Sequence, residues 1–115
     1  LVDGTNDALN HVFGLTPHEW ALIQGTLARN PKITGAILFG SRAKGTAGPA
    51  SDIDLALLGI DDPLQAEAEA RNLEDLPLPY RFDVKALSAI RSKAVREHID
   101  RVGIRIYTAE IPNVT

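Results

Sequence analysis

A chain of 115 residues is the size of one domain and can bury a core without disulfides or metal staples. With no cysteine there is no thiolate nucleophile and no cysteine-bound zinc, and a formal net charge of −3 argues against gripping nucleic acid by bulk charge. No apolar run approaches the roughly 18 residues of a membrane span, and no basic-then-apolar leader opens the sequence. The cysteine-free composition fits a reducing cytosol, so a cytoplasmic protein is expected. The lack of any Met sets the expectation that Leu1 lies inside a longer chain.

Residues 1–14 are polar, carry two glycines and show no period, and read as an N-terminal arm or tag remnant; residues 15–115 read as a single domain. Thr16 can cap a helix, Pro17 suits its first position and Glu19 completes a capping box, so a helix is expected from about 17 to 29. Leu15 and Trp20 sit at the staple positions, and Trp20, Ile23 and Leu27 form the stripe to be buried. Trp20 could stack a base, but on that stripe it reads as core.

The apolar run Ile33 to Phe39, ended by Gly40, reads as a buried strand, and Asp52 to Leu58, ended by Gly59, as a second. Asp62-Pro63 repeats the cap logic for a helix to about Asp75, stopped by Pro77 and Pro79. Tyr80 to Ala86 alternates strictly, with Tyr80, Phe82 and Val84 on one face and Arg81, Asp83 and Lys85 on the other. Ser88 is expected to cap a helix to about Arg101, ended by Gly103 in a left-handed conformation, and Ile104 to Tyr107 is a last strand. The pattern is that of an α/β domain: one small mixed sheet with helices packed against it.

Charge is unevenly spread. Residues 52–75 carry eight acids against Arg71, a net of 1 − 8 = −7, while residues 81–105 carry seven bases against three acids, a net of 7 − 3 = +4. Two differently solvated faces would give this, and so would an acidic metal site beside a surface for phosphate or a partner.

One stretch carries chemistry: Phe39-Gly40-Ser41-Arg42-Ala43-Lys44-Gly45, then Ser51-Asp52-Ile53-Asp54-Leu55. A strand ending in Gly-Ser and turning into a short helix, which Gly45 would end, brings free backbone N–H groups and a hydroxyl to one point, and such a point attracts phosphate. Asp52 and Asp54 leave the same strand face about 6.6 Å apart, a repulsive pair in a setting that disfavours Asp. A divalent cation would relieve it, and hard oxygen donors point to Mg²⁺ or Mn²⁺. An exposed edge strand with an acidic face would look the same. Asp83 adds weight as the acid on the polar face of its own strand, although an ion pair with Arg81 or Lys85 also accounts for it. Three converging carboxylates can hold two metal ions for in-line phosphoryl or nucleotidyl transfer.

Gly40-Ser41, ten intervening residues, Asp52-x-Asp54 and a later strand Asp resemble the signature of the DNA polymerase β-type nucleotidyltransferases. The fuller string, with Gly103-Ile104-Arg105-Ile106-Tyr107 closing the domain, resembles the minimal nucleotidyltransferase (MNT) group over roughly residues 17 to 107. The resemblance implies a nucleotidyltransferase fold with ATP as substrate and Mg²⁺ as metal, Mn²⁺ being possible. It implies that Gly40 and Ser41 hold the β- and γ-phosphates and that Asp52 and Asp54 ligate both metals. Asp83 would ligate the catalytic metal and help activate the attacking hydroxyl. Arg42 matches a common position of the motif, as a phosphate contact or as an orienting salt bridge.

The chain length leaves a catalytic half-site without an evident acceptor pocket, so a partner protein is expected to supply the acceptor. The resemblance names it: MNT proteins accompany HEPN-domain RNase toxins, and some transfer AMP to a toxin tyrosine. The expected protein is such an antitoxin, in a hetero-oligomer with its toxin and without direct contact to nucleic acid or membrane. A binding module whose acidic segment 52–75 mimics RNA, and a subunit acting on a small molecule, stay open beside it. His11, His18 and His98 are not paired at ligand spacing and are expected in surface or capping roles.

Overall fold

The computed structural model describes residues 13–109. The expected arm at 1–14 therefore lies outside the described residues up to position 12. Its last two residues belong to the packed domain: the Phe13 ring meets Trp20 edge-on at 6.4 Å, and Gly14 lies against the Arg42 guanidinium.

Helix α1 (Pro17–Ala28) begins as the sequence requires. The Thr16 hydroxyl accepts from the Glu19 amide at 3.1 Å, and the Thr16 amide donates to Glu19 Oε1 at 2.9 Å, closing the capping box. Trp20, Ile23 and Leu27 are buried, and Trp20 is core. Strand β1 (Gly35–Phe39) runs into a one-turn helix, α2 (Gly40–Lys44), which Gly45 ends with a φ of +81°. Strand β2 (Ile53–Leu58) leads through Gly59 to α3 (Pro63–Glu74), capped by Asp62 accepting from the Leu64 amide at 2.9 Å. Gly59 has a φ of +100°, and a Cβ there would strike the Lys32 carbonyl. Strand β3 (Phe82–Ala86), helix α4 (Lys93–Val102) and strand β4 (Ile104–Thr108) complete the described domain.

Two local expectations are corrected. Ser88 does not cap α4: residues Leu87–Ala89 form a 3₁₀ turn, and the Ser88 hydroxyl donates to Asp61 Oδ1 at 2.7 Å. The cap is Ser92, whose hydroxyl accepts from the Val95 amide at 3.3 Å. The shift lets Ile90 reach the apolar cluster of Phe39, Ala56 and Ile99 before the helix starts. Gly103 is not left-handed either; its φ is −62° and its ψ 141°. Glycine is needed there for space, because a Cβ would strike the Ile99 carbonyl as the chain passes straight from α4 into β4.

The sheet is mixed, in the order β3-β2-β1-β4. Strand β1 is antiparallel to both β2 and β4, whereas β2 and β3 run parallel through the α3 crossover. Alternation then assigns the two faces. Ala36, Leu38, Leu55, Leu57 and Val84 join Ile23 and Leu27 of α1 and Ala66 and Leu73 of α3 in the main core. Each fully buried Leu or Ile there contributes about 1.5–3 kcal/mol. The other face holds the smaller cluster under α4, where Phe39 and Ala56 meet Ile90 and Ile99. By the same alternation Asp54, Asp83 and Lys85 belong to this second, less covered face.

Candidate nucleotidyl-transfer site

Register brings the site together. Phe39 pairs with Asp54 across β1 and β2, and Asp54 pairs with Asp83 across β2 and β3. Gly40 and Ser41 follow Phe39 directly, so the glycine–serine turn and two carboxylates stand at one level of the sheet. Asp52 lies just before β2 and is exposed. Gly40 has a φ of +76°, and the Asp54 carboxylate occupies the space a Cβ would take. Only glycine lets β1 end this close to the acid.

The electrostatics single out Asp54. Its pKa is pushed up from 3.8 to about 6, first by burial, then by the charges of Asp83 and Asp52, with Lys85 opposing. Lys85 Nζ stands 3.5 Å from Asp83 Oδ1, both side chains about half exposed, so the ion pair read as an alternative for Asp83 forms alongside its place next to Asp54. Among the described residues no three His, Asp or Glu side chains close into a metal cage. The donor set remains one of hard oxygens, which fits Mg²⁺ or Mn²⁺.

Arg42 departs from its expected role. Its guanidinium is 2% exposed and is held by backbone carbonyls: Nε and Nη2 donate to Ser51 at 3.2 and 2.8 Å, and Nη1 donates to Phe13 at 3.1 Å. It also lies 4.9 Å above the Tyr80 ring, whose hydroxyl donates to Glu19 at 3.1 Å. Buried among carbonyls and without an ion pair among the described residues, Arg42 anchors the carbonyl that immediately precedes Asp52. Ser51 is fixed a second time, its hydroxyl accepting from the Gly48 amide at 2.9 Å. The turn between β1 and β2 is thus tied down from both ends.

Two features were not foreseen. His98, expected in a surface or capping role, accepts a hydrogen bond from the Gly40 amide at 2.9 Å; nothing in the sequence links positions 58 residues apart. His18 is exposed as expected, and His11 lies outside the described residues. An open groove of about 470 Å³ runs beside Asp83, with Glu67, Lys85, Arg91 and Ser92 among its lining residues.

A glycine–serine turn beside carboxylate-bearing strands of a small mixed sheet is an arrangement of the nucleotidyltransferase class. The chain belongs to the polymerase β nucleotidyltransferase family: residues 22–111 match the family described as "Polymerase beta, Nucleotidyltransferase". Among solved structures, it is similar to a chain of the toxin–antitoxin MntA-HpeT in a Tyr-to-Ala mutant. That match has 28% identity and a TM-score of 0.63 and covers 78% of this chain and 72% of that one. A mutant of the same complex with two Asp-to-Glu changes matches at 26% identity and a TM-score of 0.65, covering 79% and 74%. A tri-AMPylated Shewanella oneidensis HEPN toxin in complex with MNT antitoxin shares the fold at 23% identity and a TM-score of 0.60, covering 80% and 71%. No curated protein sequence matches the chain significantly. Among the described residues no helix is long and apolar enough to cross a membrane.

Proposed function

We propose that this protein is the nucleotidyltransferase antitoxin of a toxin–antitoxin pair, transferring AMP from ATP to a hydroxyl of an HEPN-type RNase and so silencing it. The observation that carries the reading is Asp54, a carboxylate crowded by Asp52 and Asp83 at the level of the glycine–serine turn. A surface meant only to bind a partner would do as well with asparagines, which avoid the repulsion. Similarity to chains of toxin–antitoxin complexes supports the partner class, and the tri-AMPylated neighbour supports the reaction.

In this reading the Gly40–Ser41 turn cradles the β- and γ-phosphates through the backbone amides that follow Gly40 and through the Ser41 hydroxyl, the Gly40 amide being held by His98. Asp52, Asp54 and Asp83 would hold Mg²⁺ or Mn²⁺, which supplies positive charge where negative charge builds on the transferring phosphoryl group. The attacking hydroxyl forms its bond to the α-phosphorus as the bond to the β-phosphate oxygen breaks, and Asp83 takes the hydroxyl proton. Pyrophosphate leaves on the side of the glycine–serine turn. In-line displacement puts the acceptor on the opposite side of the α-phosphorus, and the groove lined by Asp83 is the candidate place for it. AMP adds negative charge where an RNase must receive phosphate, so silencing follows from electrostatics. The pair works in the cytoplasm, where ATP is at hand.

The test uses a substoichiometric amount of this protein with ATP, Mg²⁺ and excess toxin. The toxin should gain AMP mass over time and lose RNase activity, and Asp52→Asn should abolish both while still binding the toxin. Full neutralisation by Asp52→Asn at equal stoichiometry, with no mass change on the toxin, would establish a binding module instead.

A further inference from the structure

The phosphate turn is held by a residue from the far end of the domain. The Gly40 amide donates to His98 Nε2 at 2.9 Å, and the imidazole packs edge-on against the Phe39 ring, 6.2 Å between centroids. An Nε2 that accepts has its lone pair free, so the ring proton sits on Nδ1. His98 is half-buried on α4 beside Ile99, whose side chain is part of the cluster under the sheet. The imidazole is therefore seated by packing as well as by its hydrogen bond.

Gly40 needs such a support. Its φ of +76° is one that glycine adopts readily, and the peptide that joins it to Phe39 marks the end of the β1–β2 pairing. One side of the residue is filled by the Asp54 carboxylate, and His98 holds the amide. The bond also removes the Gly40 amide from the donors that the first turn of α2 leaves without a helical partner. The next residue is Ser41, whose hydroxyl makes no hydrogen bond among the described residues.

We infer that His98 is a positioning residue for the nucleotide: it clamps the Phe39–Gly40 peptide so that the Ser41 hydroxyl and amide face the triphosphate, and it touches no substrate itself. The inference rests on reading Gly40–Ser41 as the phosphate turn. It explains why α4 is laid across the end of β1, and it makes nucleotide affinity depend on a helix outside the sequence motif.

The experiment compares His98→Ala, His98→Gln and His98→Asn with the wild-type chain, measuring ATP affinity in Mg²⁺ by calorimetry, transfer kinetics and thermal melting. The Gln Oε1 reaches about as far as Nε2 and can accept from Gly40; the Asn amide reaches only as far as Nδ1. Loss of the clamp should raise the Kd and KM for ATP about tenfold in the Ala and Asn variants and change kcat less than about twofold. His98→Gln should return both constants to within about threefold of wild type. A purely structural His98 would lower the melting temperature of the Ala and Asn variants and leave ATP affinity in the folded proteins unchanged, which would overturn the inference. So would a loss confined to kcat, or failure of Gln to rescue. If His98→Ala does not fold, the Gln and Asn variants still decide. A wild-type chain that binds no ATP in Mg²⁺ overturns the phosphate-turn reading and this inference with it. Wild-type binding matched by an unaffected His98→Asn overturns the inference alone.

Discussion

Asp54 and Glu69 are both carboxylates drawn out of water, on opposite sides of one sheet, and the fold treats them differently. Glu69, on α3, is 3% exposed, and burial raises its pKa. Neutral amides oppose the rise: Asn72 donates to its Oε1 at 3.5 Å, and the nearby Asn30 side chain acts in the same direction. Asp54 has no such relief from neutral donors. Burial raises its pKa, and Asp83 and Asp52 raise it further, to about 6, with only the cation of Lys85 opposing. Glu69 is thus relieved in part by amides, although its Oε2 is buried without a hydrogen-bond partner among the described residues. Asp54 is crowded by its own kind, and in the proposed function a divalent cation would relieve it.

The sharpest way to break this comparison is to neutralise each acid in turn. Asp54→Asn should cut AMP transfer by about a thousandfold or more, because in the proposed function the carboxylate would help hold the metal ion at the transferring phosphate. The same change should stabilise the metal-free fold by about 1 kcal/mol, read as a higher melting temperature. Glu69→Gln should leave transfer unchanged. A lower melting temperature for metal-free Asp54→Asn would show that its neighbours support the acid instead of crowding it.

Arg42 tests the wall behind the site. Arg42→Lys should destabilise by about 2–3 kcal/mol, since one ammonium cannot serve carbonyls that a planar guanidinium spans. Denaturant melts would read the loss, and a melt matching wild type would remove Arg42 from the scaffold.

A pH series distinguishes the two acids without mutation. Between pH 3.8 and about 6 the folded chain keeps a proton on Asp54 that the unfolded chain has released. Metal-free stability should therefore be greatest below that window and fall as pH rises through 6. Saturating Mg²⁺ should flatten or reverse the fall, because it favours the ionised acid. The component from Glu69, which has the same sign above its ordinary 4.5, should persist in Mg²⁺. Thermal melts with and without Mg²⁺ that superimpose would contradict this account.

The smallest expected effect concerns the start of α4. Ser92→Ala should cost about 1 kcal/mol by removing the cap, whereas Ser88→Ala removes only an exposed bond to Asp61 and should cost less than about 0.5 kcal/mol. Equal losses would return the cap to dispute.

Local chemistry made most of the fold legible. The capping box at Thr16, Pro17 and Glu19 and the alternation of Phe82, Val84 and Ala86 each follow from neighbours in the chain. Ser88 and Ser92 show where that ends: both residues can cap, and the choice falls to Ile90 seeking the cluster under the sheet, which is a tertiary demand. The turn and the acids were readable as a motif, as was the shared face of Asp52 and Asp54. The partner of the Gly40 amide was not, because only three-dimensional packing brings His98 to it. Arg42 was visible as a residue, but its burial depends on where the carbonyls of Phe13 and Ser51 come to lie.

The pairing of one antiparallel and one parallel ladder around Asp54 also sets an order of assembly. Strands β1 and β2 are joined by the short helix α2 and a loop, so Gly40, Ser41, Asp52 and Asp54 can come together within one contiguous stretch of chain. Asp83 joins them only when β3 docks in parallel after the α3 crossover, a closure over a longer loop and a slower event. His98 follows still later in the chain. A newly made chain therefore displays its recognisable motif before Asp83 has joined it, and the helix and strand that complete the domain come later still.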